Sequence, residues 1–229
     1  MSNSFLNPLQ AYYSNIVFLF GLLELVRSKK LKASIFNAVS TECFGKNKNI
    51  CDEKTNFDPL SPYARAKSFS FWLVKYYREN FNVRACNGIL SNHNSPLRKK
   101  NFIIKKIANY VQNFDGKTKL KIGNIDISRD WGWAHDYVQA IYGINSLVVL
   151  DDYIIATGKI TSLKEVVKKF FKIKNIGLQF VKFNNKEFLR PSEAKYTKYS
   201  IAKIKKDLDW KPKNNINLII KKMHNEELF

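Results

Sequence analysis

No glycine-rich phosphate-binding turn occurs in this chain. None of its nine glycines belongs to a Gly-x-Gly-x-x-Gly or Gly-x-x-Gly-x-x-Gly pattern, so the strand, tight turn and helix that cradle a dinucleotide pyrophosphate are not written in it. Cysteine is scarce. Cys43, Cys51 and Cys86 are odd in number and lack metal-ligand spacing, which argues against a disulfide framework or metal site and for reduced thiols in the cytoplasm. Acidic residues are few, 19 against 39 Lys and Arg, for a formal charge of +20. Such an excess raises nucleic acid or an anionic membrane as a partner. The basic residues, however, are mostly lysines spread along the whole length, without an Arg-rich helix, a zinc pattern or an aromatic RNA-binding signature. Long hydrophobic runs are also missing. Ile16 to Leu23 is apolar, but Glu24 and Arg27 follow at once, short of the ~20 apolar residues of a membrane span. The stretch reads as a buried helix, and no signal peptide is evident. The expectation is a cytoplasmic protein with neither nucleic-acid nor membrane partners and no metal.

What is present is an alternation. The 229 residues, 45% apolar and 25% charged, suit one substantial globular domain or one and a half. Residues 9 to 28 form a helix that is apolar nearly all round, expected to pack between layers. A buried strand at 33 to 39, an irregular loop at 45 to 59, a helix from Pro62 to about Asn80 and a second strand at 83 to 90 follow. Strand and helix in turn imply a parallel sheet with helices on its faces. Ser91 to Arg98 reads as a polar loop at a strand's carboxyl end, where open α/β sheets bind ligands, and Ser128 to Gly132 as a dense turn.

Within this frame Tyr63 and Lys67 stand four residues apart near the start of the second helix. An i,i+4 pair shares one helix face, one turn apart. An ammonium held there lowers a phenol's pKa and fits it to take a proton from a hydroxyl while hydride leaves the same carbon. Alone, Tyr-x-x-x-Lys is common by chance. Ser40-Thr41-Glu42 upstream gives it context.

Seven stretches keep a common order: Ser40-Thr41-Glu42; Ser61-Pro62-Tyr63 with Lys67; Asn87 to Leu90 continuing through Asn92-His93 and Ser95-Pro96; Gly123 to Asp126 with Arg129 to Gly132; Ile155 to Gly158; Arg190 to Glu193; and Trp210-Lys211-Pro212. Together they resemble the extended short-chain dehydrogenase/reductase superfamily and, within it, the GDP-mannose 4,6-dehydratase family. The resemblance runs from about residue 10 to the C-terminus. It implies an α/β fold: an incomplete Rossmann-like doubly wound parallel sheet, its glycine-rich first half lying before Met1, plus a smaller C-terminal α/β substrate-binding region. Residues 1–91 would be the remainder of the cofactor domain. Residues 92–229 would mainly bind the nucleotide sugar, with about 131–157 returning to the first domain.

The resemblance also implies a lyase that uses NADP to convert GDP-mannose to GDP-4-dehydro-6-deoxy-mannose. Tyr63 would deprotonate the C4 hydroxyl, Lys67 would hold the nicotinamide ribose, and Ser40, where the family usually carries threonine, would bond the C4 oxygen. Glu42 would take the C5 proton and protonate the departing C6 hydroxyl. His93 and Arg98 would meet the cofactor. The family's usual glutamate at Asn94, arginine at Leu97 and glycine near Lys99 are missing, which weakens an intersubunit contact. Asn92, Arg129 and Arg190 would bind the nucleotide sugar, guanidinium forks suiting phosphates, and Glu193 would read guanine or ribose. Arg129 beside Asp130 fits an ion pair equally well. Trp131, Trp133 and Trp210 read as core, and His135 and His224 as surface or structural. The expected partners are a homo-oligomer or a separate N-terminal half. The alternatives are a non-catalytic remnant or subunit partner that binds nucleotide sugar, and another sugar-nucleotide dehydratase or epimerase.

Overall fold

The structure, a computed structural model, describes residues 2–189 and 191–228. Its N-terminal part is helical: α1 (Ser2–Leu6), α2 (Pro8–Tyr12), a π-helical turn at Tyr13–Val17, and α3 (Phe18–Ser28). Strand β1 (Ile35–Ser40) runs into a 3-10 turn at Thr41–Phe44, followed by the two-residue β2 (Ile50–Cys51). Helix α4 (Pro62–Phe81) leads to β3 (Ala85–Leu90) and β4 (Asn92–Asn94). Next come α5 (Ile103–Gln112), β5 (Leu120–Lys121), β6 (Ser128–Trp133), α6 (Ala134–Asn145), β7 (Tyr153–Ile155), β8 (Ile160–Ser162) and α7 (Leu163–Ile173). The chain closes with β9 (Val181–Lys182), β10 (Lys198–Tyr199), α8 (Ala202–Leu208) and α9 (Ile216–Asn225).

The expected parallel sheet is present. β1, β3 and β7 pair in that order, with Ser40 opposite Leu90 and Leu90 opposite Ile155. All three carboxyl ends therefore reach one level, where the site is built. Buried α4 residues Ala64, Ala66, Phe71 and Val74 cover the sheet. A second sheet, β4-β6-β8, pairs β4 with β6 in parallel and β6 with β8 antiparallel. The largest apolar cluster belongs to the C-terminal part, where Ile104, Ile107, Trp131, Trp133, Phe170, Phe171, Ile219 and Met223 pack together. Each such side chain contributes about 1.5–3 kcal/mol on burial, so this part has a core of its own.

Four expectations change. Ser128–Trp133 is a buried strand, not a turn, because Arg129 to Trp133 are covered on both sides by neighbours. Asn92–Asn94, read as loop, pairs with that strand, and Ile50–Cys51 inside the expected loop pairs with β10. The N-terminal helical stretch is not packed between layers. It buries Leu19, Leu23 and Val26 against the sheet and α4, whereas Leu9, Tyr13, Val17 and Phe18 are exposed. Among the described residues β1 is an edge strand, and nothing covers the helix side that carries Leu9, Tyr13, Val17 and Phe18. The helical stretch Pro8–Ser28 is also long and apolar enough, by length and composition, to cross a membrane, with mean hydropathy 1.4 over 18 residues. The short run seen in the sequence understated it.

Candidate active site

Ser40 ends β1 and caps the turn that follows, its Oγ accepting from the Glu42 amide at 3.3 Å. The same turn buries Thr41, Cys43 and Phe44, which directs Glu42 to the cavity at the sheet's carboxyl end. Ser61 caps α4 by accepting from the Ala64 amide at 3.1 Å, and Pro62 follows it in the first turn. Tyr63 and Lys67 are thereby set on successive turns facing Ser40. A side-chain hydrogen bond from Ser40 favours the Tyr63 phenolate, and the Arg98 charge acts in the same direction.

The expected lowering of Tyr63 by Lys67 is not what the geometry produces. Burial dominates and pushes the phenol above its usual 10.0. The Lys67 ammonium lies 6.0 Å from the Tyr63 ring centroid and donates instead to the Ala38 carbonyl at 2.8 Å. Ile35 N–H points to β3, so by strand alternation the Ala38 carbonyl points to the open side of β1. Lys67 thus reaches around the edge of the sheet, and desolvation holds its pKa below the usual 10.5.

One cavity gathers Glu42, Asn92, Arg129 and Glu193, walled by Phe5, Leu60, Thr41 and Tyr199. Arg129 donates to the Ser128 and Lys195 carbonyls at 2.9 and 3.2 Å, and its other nitrogen lies 3.2 Å from Glu193 Oε1. The alternative pairing with Asp130 is excluded by direction, since Asp130 bonds Ser91 and Thr157 on the opposite side of the strand. His93 on β4 and Arg98 on the loop after it do not line this cavity. Arg98 donates to the His93 carbonyl and to Asn94 Oδ1, and its guanidinium lies 4.0 Å from the Phe102 ring centroid. Arg190 lies outside the described residues.

Sequence reasoning missed a second feature. A basic groove between α5 and β5 is lined by Lys100, Lys106, Tyr110, Lys119, Lys121 and Phe188. Lys106 Nζ sits 3.7 Å from the Phe188 ring centroid, and desolvation lowers its pKa. In a chain with 39 basic residues, no local signal separates these lysines from the rest. Phe5, in the cavity wall, carried no motif either. Among the described residues no cluster of His, Cys, Asp and Glu could hold a metal ion.

Comparison with known proteins bears on the family and the fold. The family model described as GDP-mannose 4,6 dehydratase matches residues 1–223. GDP-mannose 4,6 dehydratase 1 of Arabidopsis thaliana is 37% identical over 213 residues, covering 90% of this chain and 59% of that protein. The Homo sapiens GDP-mannose 4,6 dehydratase is 33% identical over 225 residues, covering 88% of this chain and 60% of that one. Among solved structures, RMD from Pseudomonas aeruginosa complexed with NADPH superposes with a TM-score of 0.87 at 20% identity, over 98% of this chain and 76% of that one. The dTDP-glucose 4,6-dehydratase from Bacillus anthracis in complex with NAD gives 0.84 at 19% identity, over 94% and 68%. These structural likenesses establish the Rossmann-like fold. The chain spans about three fifths of the length of the relatives it matches, 59% and 63% for two of them.

Proposed function

Since this chain belongs to the GDP-mannose 4,6 dehydratase family, we propose that its site serves the NADP-dependent loss of water from GDP-mannose, giving GDP-4-dehydro-6-deoxy-mannose. The carrying observation is the one cavity that joins Glu42 to Asn92, Arg129 and Glu193 at the carboxyl end of β1, where Ser40 stands. Tyr63 as phenolate takes the proton of the hexose C4 hydroxyl, and Ser40 bonds the oxygen that becomes a ketone. That ketone acidifies the C5 proton. Glu42 removes it and delivers a proton to the departing C6 hydroxyl, so one carboxylate leaves the step as it entered.

The nicotinamide cofactor, when bound, would supply the acceptor for the C4 hydride, which C6 takes back while C5 regains a proton that offsets the one Tyr63 removed from the C4 hydroxyl. Tyr63, Lys67, His93 and Arg98 are the residues that would hold it. They fit that role: Lys67, with three donors of which one is bonded to Ala38, reaches the open side of β1 on the same helix face as Tyr63. Arg129 with Asn92, and the lysines of the basic groove, are suited to the diphosphate. The buried, unpaired thiols of Cys43, Cys51 and Cys86 are in keeping with a reducing cytoplasmic setting.

A second reading is nucleotide-sugar binding without turnover, alone or as a subunit of a larger assembly. It is favoured by the raised Tyr63 phenol. Exposed Phe69, Trp72 and Tyr76 on one face of α4 support an oligomeric partner. The test is GDP-mannose with NADP, following the 4-keto product, beside Glu42→Gln. Product lost in Glu42→Gln with substrate binding retained establishes the lyase. Binding without product selects the second reading, and absence of binding refutes both.

A further inference from the structure

Ser91 joins β3 to β4, immediately before Asn92 and His93, and every polar group it has is engaged. Its amide donates to the Ile155 carbonyl at 3.0 Å. Its Oγ donates to Asp130 Oδ1 at 2.9 Å and lies 2.5 Å from the Tyr137 hydroxyl. Its carbonyl oxygen is 2.9 Å from His93 Nδ1.

The donor directions follow from counting protons. Asp130 Oδ1 accepts from the Thr157 amide at 2.9 Å as well as from Ser91, and the single Ser91 hydroxyl proton is used on that oxygen. Tyr137 must then donate to Ser91 Oγ. A carbonyl only accepts, so His93 Nδ1 carries a proton. Burial and the Arg98 charge hold His93 below its usual 6.5, leaving Nε2 as a lone pair. The Tyr137 ring, 5.2 Å from the His93 ring by centroids, closes the loop. Asp130 is 1% exposed and its Oδ2 has no partner, so the carboxylate serves these strands and not the solvent.

We propose that Ser91, clamped by Asp130 and Tyr137, is a positioning residue that locks His93 in the Nδ1–H tautomer and offers Nε2 to a hydrogen-bond donor of the ligand. That donor is a hydroxyl or carboxamide N–H and not a phosphate, because a lone pair repels phosphate oxygens. The identity of the ligand rests on the proposed function; the tautomer does not.

Histidine-selective 15N NMR on the whole chain tests it. With His93, His135 and His224 the only histidines, the single variants His135→Gln and His224→Gln assign the rings. The expected spectrum has His93 Nδ1 protonated and Nε2 bare, in roughly five- to tenfold excess over the other tautomer. A majority Nε2–H form overturns the proposal. Ser91→Ala should reduce that excess severalfold, whereas Asp130→Asn, which keeps an acceptor oxygen, should largely retain it. An unchanged tautomer ratio in folded Ser91→Ala overturns the clamp. Should Ser91→Ala not fold, Tyr137→Phe, lacking only the hydroxyl, is read the same way. NADP is then added. A shift of Nε2 with His93 still singly protonated supports the ligand assignment, and conversion to an imidazolium refutes it. No binding of NADP at all would sink the cofactor reading while leaving the tautomer result intact.

Discussion

Arg129 and Asp130 are adjacent in one strand and serve opposite faces: Arg129 meets Glu193 at 3.2 Å in the cavity, while Asp130 holds Ser91 at 2.9 Å behind it. One dipeptide thus ties the substrate side of the site to the segment carrying His93. The alternation of side chains along a strand makes this possible. The arrangement also explains why neither residue neutralises the other.

The chemistry of Tyr63 predicts a pH dependence. Its phenol is raised above 10.0 by burial, so the phenolate is a minor species at neutral pH and grows as pH rises. Turnover of GDP-mannose should therefore climb through the alkaline range. Tyr63→Phe should cost about 10²–10⁴-fold and flatten the climb. A wild-type rate independent of pH up to about pH 9 would show that another group is the base.

Lys106 predicts a salt-sensitive contribution to binding. A charge-assisted hydrogen bond to a phosphate is worth about 1.5–3 kcal/mol, so Lys106→Ala should weaken GDP by roughly ten- to hundredfold. The loss should shrink as salt is raised. Calorimetric titration with GDP at low and high salt decides it, and equal affinities would place the diphosphate elsewhere.

Just before β7, Asp152 holds Arg78 of α4 with two hydrogen bonds of 2.7 and 2.8 Å, and also accepts from the Asn87 amide at 2.9 Å. The two side chains of this pair are 18% and 8% exposed. Truncating Asp152→Ala strands a guanidinium and a buried amide, at a cost of about 3–5 kcal/mol. Urea unfolding should show that loss. A change under about 1 kcal/mol would mean that water replaces the carboxylate.

Glu24 anchors α3 to α4 by bonding Arg27 and the Tyr77 hydroxyl, which hold its carboxyl at about 2 against an ordinary 4.5. A folded-state pKa below the unfolded one gives stability that is fully present above 4.5 and is lost as pH falls toward 2. Glu24→Gln should therefore lower the denaturation midpoint at neutral pH and converge with the parent in strong acid. Parallel curves across that window would refute the anchor.

Much of the local site was legible because its determinants are close in sequence. Ser40 at a strand end, Ser61-Pro62 opening a helix, and Tyr63 with Lys67 one turn apart are all short-range relations. The helix at 9 to 28 and the strand at 128 to 133 were misread for one reason. Hydrophobicity states that a segment can be buried, but only the number of neighbouring layers states whether it is. The first lacks a covering layer and the second has strands on both sides.

By itself the sequence determined the alternation of strands and helices, the family motifs, and the i,i+4 spacing of Tyr63 and Lys67, because these follow from backbone periodicity. Only the tertiary structure decided that Lys67 bonds Ala38, 29 residues away, and that Asp130 bonds Ser91, 39 residues away. It likewise decided that Arg129 takes Glu193 as partner and that burial outweighs charge at Tyr63. Protonation and pairing depend on distance and desolvation, and both come into being only when separate strands end at the same level.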